Sequence, residues 1–147
     1  DRLAHLGAQA LLDTLDRWQQ GEFVAQKQDD THAIYAKKLS KKEAVIDWSQ
    51  PAQAIEQCIR AFNPWPICET AFQGMRLRIW QASVVTLFSD DEPGTIVRLD
   101  KKGICVATGC NLLCIEKLQL PGGKVLSVAD VCNGNKLVLT PGDRFSS

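Results

Sequence analysis

Four lysines crowd into six consecutive positions, Lys37, Lys38, Lys41 and Lys42, with only Leu39 and Ser40 between the pairs. Ammonium groups on flexible stems neutralise phosphates and give affinity without reading bases. Further along, Met75, Leu77 and Ile79 alternate with Arg76, Arg78 and Trp80, so two guanidinium groups and an indole fall on one face of a strand. Lys101 and Lys102 sit together in a turn. Cations with an aromatic among them suit a nucleic-acid surface, where bases stack and phosphates pair. A solvated face in any protein carries similar charges. The 17 basic and 17 acidic residues cancel, so no whole-molecule field draws a polyanion, and any such partner must be met by a local patch.

Other chemistries are poorly served. The six cysteines, Cys58, Cys68, Cys105, Cys110, Cys114 and Cys132, contain no Cys-x-x-Cys, and Cys110-x-x-x-Cys114 is the closest to a ligand spacing. A closed zinc site wants four thiols or imidazoles on short loops, yet His5 and His32 lie far upstream. The cysteines therefore read as reduced, mostly structural thiols. Neither histidine is placed to activate a nucleophile within the strand-rich part. Asp90, Asp91 and Glu92 form a loop, and no phosphate-cradling glycine motif occurs. The chain alone does not read as an enzyme.

The elements that must position these residues follow from periodicity. Ala4, Ala8, Leu11, Leu15 and Trp18 make one helical seam, with Gly21 to end the helix. A polar stretch then leads into the lysines. Ser49 and Pro51 are expected to open a second helix whose apolar face is Ala52, Ile55, Ile59 and Phe62, stopped at Asn63-Pro64. Beyond Pro66 the period becomes two. Strands are predicted at 70–72, 75–80, 95–99, 104–108 and 112–120, with a bulge or bend in the last because neither alternate set is wholly apolar. Ser127 caps a short helix over 127–132. The fold class is mainly β: a small five-stranded antiparallel barrel with short helices, preceded by the N-terminal amphipathic helix and a linker. Apolar runs are too short for a membrane span of about 20 residues, and no secretory signal is apparent. With 147 residues and no initiator Met, the chain is expected to be a fragment or a processed product.

One stretch carries a resemblance. Tyr35-Ala36-Lys37-Lys38-Leu39-Ser40-Lys41-Lys42-Glu43-Ala44-Val45-Ile46-Asp47-Trp48 is similar to the linker entering the C-terminal domain of the methionyl-tRNA formyltransferase family. Ile59-Arg60-Ala61-Phe62-Asn63-Pro64-Trp65-Pro66 resembles the most recognisable run of that domain. Pro93-Gly94-Thr95-Ile96, Val106-Ala107-Thr108-Gly109, Leu118-Gln119-Leu120-Pro121 and Pro141-Gly142 agree in order. Departures are local, as at Gly109-Cys110-Asn111, where the family commonly has Gly-Asp-Gly.

The resemblance implies an OB-like barrel at 48–147, a linker at 27–47 and, at 1–26, the last helix of a truncated catalytic domain. It implies that the full enzyme moves a formyl group from 10-formyltetrahydrofolate to the Met amino group of initiator tRNA in the cytoplasm. The family's catalytic Asn, His and Asp have no counterparts here, so this part is expected to be inactive alone and to bind no cofactor. Its partner would be initiator Met-tRNA, held through backbone contacts. Lys37, Lys38, Lys41 and Lys42 are the first candidates for those contacts, followed by Arg76, Arg78, Lys101, Lys102 and Lys124. Phe62, Trp65 and Pro66 are expected to be structural, and Trp48 a core anchor. Related domains occur in formyltetrahydrofolate dehydrogenases and sugar-modifying formyltransferases. A scaffold or assembly module is the remaining alternative, its orphan N-terminal helix free to self-associate.

Overall fold

The computed structural model describes residues 2–22, 24–134 and 137–146, and the chain divides into two compact units, 1–37 and 38–147.

In the first unit, helix α1 spans Arg2–Gln19. Gly21, at φ +73°, closes it: its amide donates to the Trp18 carbonyl and that of Glu22 to the Arg17 carbonyl. These paired bonds satisfy carbonyls that the helix leaves open. None of the described residues of α1 is buried. A short 3₁₀ turn, Asp30–His32, follows and is capped by Asp29.

The second unit opens with a 3₁₀ turn at Lys41–Ala44. There the Glu43 carboxylate accepts from both the amide and the hydroxyl of Ser40. Helix α2, Ala52–Ala61, buries Ala52, Ile55 and Ile59, and Phe62 follows onto the core. Its first residue, Ala52, donates to the Cys110 carbonyl at 3.0 Å. The expected Ser49 cap is not made. Pro51 occupies the N-cap, and Ser49 donates its hydroxyl backward to Asp47 at 2.6 Å.

Among the described residues, six strands form one antiparallel sheet: β1 Cys68–Phe72, β2 Met75–Val85, β3 Ile96–Asp100, β4 Gly103–Ala107, β5 Leu112–Gln119 and β6 Val125–Ser127. The order is β1-β2-β5-β4-β3, with β6 beside β5. Five strands were expected; β6 is the addition. It is only three residues long and pairs with the polar end of β5, too short to carry a periodicity of its own. The β1–β2 hairpin turns through Gln73 and Gly74, at φ +49° and +79°. Two positive values suit the twist of the strands, and Gly74 takes its own without a Cβ to clash.

The bulge expected in β5 is present. Between the pairs Ile79↔Leu118 and Ala82↔Ile115, Gln81 faces Lys117, so Trp80 is extra on β2 and Glu116 extra on β5. Each shift re-aims a side chain and strengthens the local twist.

The strand ladders do not close into a barrel. Instead, residues 142–146 run between the two edge strands. Ser146 exchanges both backbone bonds with Ala71 of β1 at 2.9 Å, Phe145 donates to Gly94 and Ile96 of β3 donates to Asp143. This strap supplies partners to both edges, which would otherwise present unpaired groups.

The core lies between α2 and the inner face of the sheet, with Leu77, Ile79, Ile104, Val106, Leu113 and Ile115 on that face. Trp48 is buried and stacks on Phe145 at 5.7 Å, while Phe72 meets Phe145 edge-on at 5.8 Å. The Trp48 indole donates to Thr70 at 3.0 Å, and Thr70 donates on to the Ser146 carbonyl at 2.8 Å. Ser127 accepts from the Asp130 amide and starts helix α3, Val128–Asn133. Among the described residues no helix is long and apolar enough to cross a membrane.

Candidate nucleic-acid interface

The outward phase of β2 places Arg76 and Arg78 on the exposed face of the β1–β2 hairpin. Trp80, next in that phase, sits at the bulge, half buried. Its indole donates to Gln119 Oε1 at 3.0 Å, and Gln119 Nε2 donates to the Gly123 carbonyl at 2.8 Å. Gln119 is thereby committed at both ends, fixing the indole against the turn that leads into β6.

These side chains line one groove of about 380 Å³, together with Lys41 from the 3₁₀ turn, Glu69 from β1 and Trp65 from the loop after α2. A neighbouring hollow of about 230 Å³ shares Arg76, Arg78 and Gln119 and runs on to Gly122. Trp65 is 53% exposed. It stands between Pro64 and Pro66, whose rings fix their own φ angles, so little chain entropy is lost when a partner covers the ring.

Charge in the groove is unevenly neutralised. Arg76 Nη1 lies 3.5 Å from Glu69 Oε1. Among the described residues, no carboxylate stands within 4.0 Å of Arg78 or Lys41. Two unpaired cations and an open indole face the same hollow. That set can take a phosphate on the cations and a flat ring on the indole. Among the described residues, no group of three or more His, Cys, Asp or Glu could hold a metal ion.

Of the sequence candidates, the structure brings Lys41, Arg76 and Arg78 together. Lys38 and Lys42 are exposed beside Lys41 in the chain and do not line the groove; Lys37 belongs to the first unit. Lys101 and Lys102 are exposed in the β3–β4 turn, where the Asp100 carboxylate accepts from the Lys102 and Gly103 amides. Lys124 is exposed two residues beyond Gly122. Trp48 is the core anchor expected. Phe62 is buried, as a structural role requires, but Trp65 is not: it is the aromatic most open to a partner in the groove. The missed signal was local, a large ring held between two prolines at a helix exit. Gln119 and Glu69 could not be assigned to the groove without the register that carries them there.

Residues 38–136 match the family described as formyl transferase, C-terminal domain. The chain belongs to that family. Three relatives, each called methionyl-tRNA formyltransferase and drawn from three strains of Coxiella burnetii, are 46% identical over 142 residues. The alignments cover 97% of this chain and 45% of each relative, so the chain spans less than half the length of the curated relatives it matches. Among solved structures, HypX from Aquifex aeolicus in complex with tetrahydrofolic acid superposes with a TM-score of 0.62 at 17% identity, over 84% of this chain and 22% of HypX. A HypX variant gives 0.62 at 15%, over 95% of this chain and 26% of that one. At those identities the likeness is one of fold. The groove residues Lys41, Arg76 and Arg78 all lie within the stretch that matches the formyl transferase C-terminal domain.

Proposed function

We propose that this chain is the RNA-holding part of a methionyl-tRNA formyltransferase. Its unit 38–147 grips the phosphate backbone of initiator Met-tRNA, while the remainder of the enzyme moves a formyl group from 10-formyltetrahydrofolate to the Met amino group. The observation that carries this reading is the 46% identity, over 97% of the chain, to enzymes of that name. The groove supports it with cations that lack acidic partners. The activity belongs to translation initiation, hence to the cytoplasm, and formyl transfer is not expected from these 147 residues alone.

Within this reading Lys41, Arg76 and Arg78 contact phosphates directly, and Trp65 stacks on an exposed base. Lys37, Lys38, Lys42, Lys101, Lys102 and Lys124 extend the cationic track around them. The OB-like character inferred from the family fits a sheet whose edges are joined by the 142–146 strap.

The test is fluorescence anisotropy with labelled initiator and elongator tRNA across a salt series. Affinity for both should fall steeply between about 50 and 200 mM salt, because each neutralised phosphate releases counterions. Replacing Lys41, Arg76 and Arg78 together by Ala should flatten the logarithmic salt slope by about 2–3. Trp65→Ala should cost about 1–3 kcal/mol of binding with the slope unchanged, since stacking carries no charge. An unaltered slope in the triple variant removes the groove from the interface. No binding to either tRNA at low salt overturns the reading as a whole.

A further inference from the structure

The tRNA reading leaves unused a cross-strand pair of cysteines that the fold brings into contact. Cys105 of β4 and Cys114 of β5 are direct cross-strand partners, held in register by Ile104↔Ile115 on one side and Val106↔Leu113 on the other. Both are buried, and Cys105 Sγ stands 3.1 Å from Cys114 Sγ. They lie on the sheet face opposite the main core, in a small separate cluster with Ala107 and Leu112. Gly103 makes the room, since a Cβ there would collide with Cys114 Sγ. On the solvent side, Arg98 Nη2 donates to Cys105 Sγ at 3.2 Å, and the Arg98 side chain is 57% exposed.

We propose that Cys105 and Cys114 form a modification site, a dithiol that a hydroperoxide converts into a reversible cross-strand disulfide. Opposed residues of an antiparallel ladder have Cα atoms about 4.5–5.5 Å apart, inside the range of about 4.4–6.8 Å that a disulfide spans. The sulfurs need to approach by only about 1 Å to reach the bond length of about 2.05 Å. The ladder holds them as neighbours already, so closure is an intramolecular step with a high effective concentration.

The two sulfurs have different surroundings. Burial pushes the Cys114 thiol up to about 12. The guanidinium of Arg98 contacts Cys105, and that sulfur is the largest cause holding the pKa of Arg98 above its ordinary value. Cys105, the sulfur that the Arg98 guanidinium reaches from the solvent side, supplies the electron pair. It attacks the peroxide oxygen, the O–O bond breaks, and the alcohol or water leaves with a proton, giving a sulfenic acid on Cys105. The Cys114 sulfur then attacks the Cys105 sulfur. Its proton goes to the departing hydroxide, which leaves as water. Two thiols and one hydroperoxide thus become one disulfide, one alcohol or water, and one further water.

Of the other cysteines, Cys58, Cys110 and Cys132 are exposed, while Cys68 is buried and serves as the internal control. Burial likewise pushes the Cys68 thiol up to about 12. The experiment uses the whole chain with Cys58, Cys110 and Cys132 changed to Ser. Native protein is treated with hydrogen peroxide, unfolded in N-ethylmaleimide and mapped by peptide mass. The expected product is a single cross-linked peptide pair joining Cys105 to Cys114, lighter by two hydrogens, with Cys68 alkylated and the link reversed by dithiothreitol. The melting temperature should rise by about 5–10 °C on oxidation, and by nothing in Cys114→Ser or Cys114→Ala. Both Cys105 and Cys114 alkylated after peroxide, or Cys105 carried on to a sulfinic acid while Cys114 stays alkylatable, overturns the proposal. Neither result bears on tRNA binding.

Discussion

Asp47 shows how one side chain sets the geometry around it. Its carboxylate accepts from the Ser49 amide at 3.0 Å, the Ser49 hydroxyl at 2.6 Å and Gln50 Nε2 at 3.1 Å. Those bonds favour the ionised form and hold its pKa below the ordinary 3.8, led by the Ser49 hydroxyl. Ser49 is thereby diverted from capping α2, although a hydroxyl two residues before Pro51 reads as a cap in sequence. Asp100 behaves alike in the β3–β4 turn, where the amide of Lys102 lowers its pKa most. A carboxylate depressed on folding contributes stability above its unfolded value and loses it as the pH drops through the folded one. The urea midpoint should therefore fall between neutral pH and about pH 3, and Asp47→Asn should flatten that fall. A midpoint equally acid-sensitive in the variant would show that the Asp47 bonds do not matter to stability. The same exposure that leaves these groups in water keeps the effect small.

The elements divide into those that announce themselves and those that do not. Helix α2 was legible because Ala52, Ile55, Ile59 and Phe62 repeat at helical spacing and all four are buried. The β1–β2 hairpin was legible from alternation and from Gln73-Gly74. The bulge in β5 was signalled by Leu112–Ile115, apolar on both faces, giving way to Glu116 and Lys117. The strap at 142–146 was not legible: Gly142-Asp143-Arg144-Phe145-Ser146 has no period, and its bonds reach partners distant in sequence. The groove was half legible for the same reason. Alternation put Arg76, Arg78 and Trp80 on one face, but only the fold brings Lys41 and Trp65 to them. The strap rests on Phe145, only 1% exposed and wedged against Trp48 and Phe72. Phe145→Ala should cost about 3–5 kcal/mol in urea unfolding, from lost burial plus the cavity left behind. Val138→Ala, at a side chain 74% exposed, should stay within about 0.5 kcal/mol. Equal effects at the two positions would mean that the strap is peripheral to the fold.

At the scale of the whole molecule, the two units differ in what they bury. The second has a continuous core; the first is a helix with none of its described residues buried. Leu11 and Trp18 are 59% and 65% exposed, and Leu15 and Leu12 lie beside them on the helix. Most helical stability in proteins comes from packing an apolar face, and none of the described residues of α1 is buried. A second copy of the same seam is the simplest surface able to cover it in solutions of this chain alone, and exposed apolar patches drive such association. Sedimentation velocity should then show a mass that rises with concentration, and Leu11→Ser with Leu15→Ser should return the protein to a monomer. On the proposed reading, the tRNA affinity of that double variant, measured at concentrations where the parent is itself monomeric, should be unchanged. Every residue lining the groove lies in the second unit. A parent chain that stays monomeric at high concentration overturns the association. A double variant that loses tRNA as well would show that RNA binding depends on α1 in addition to the groove.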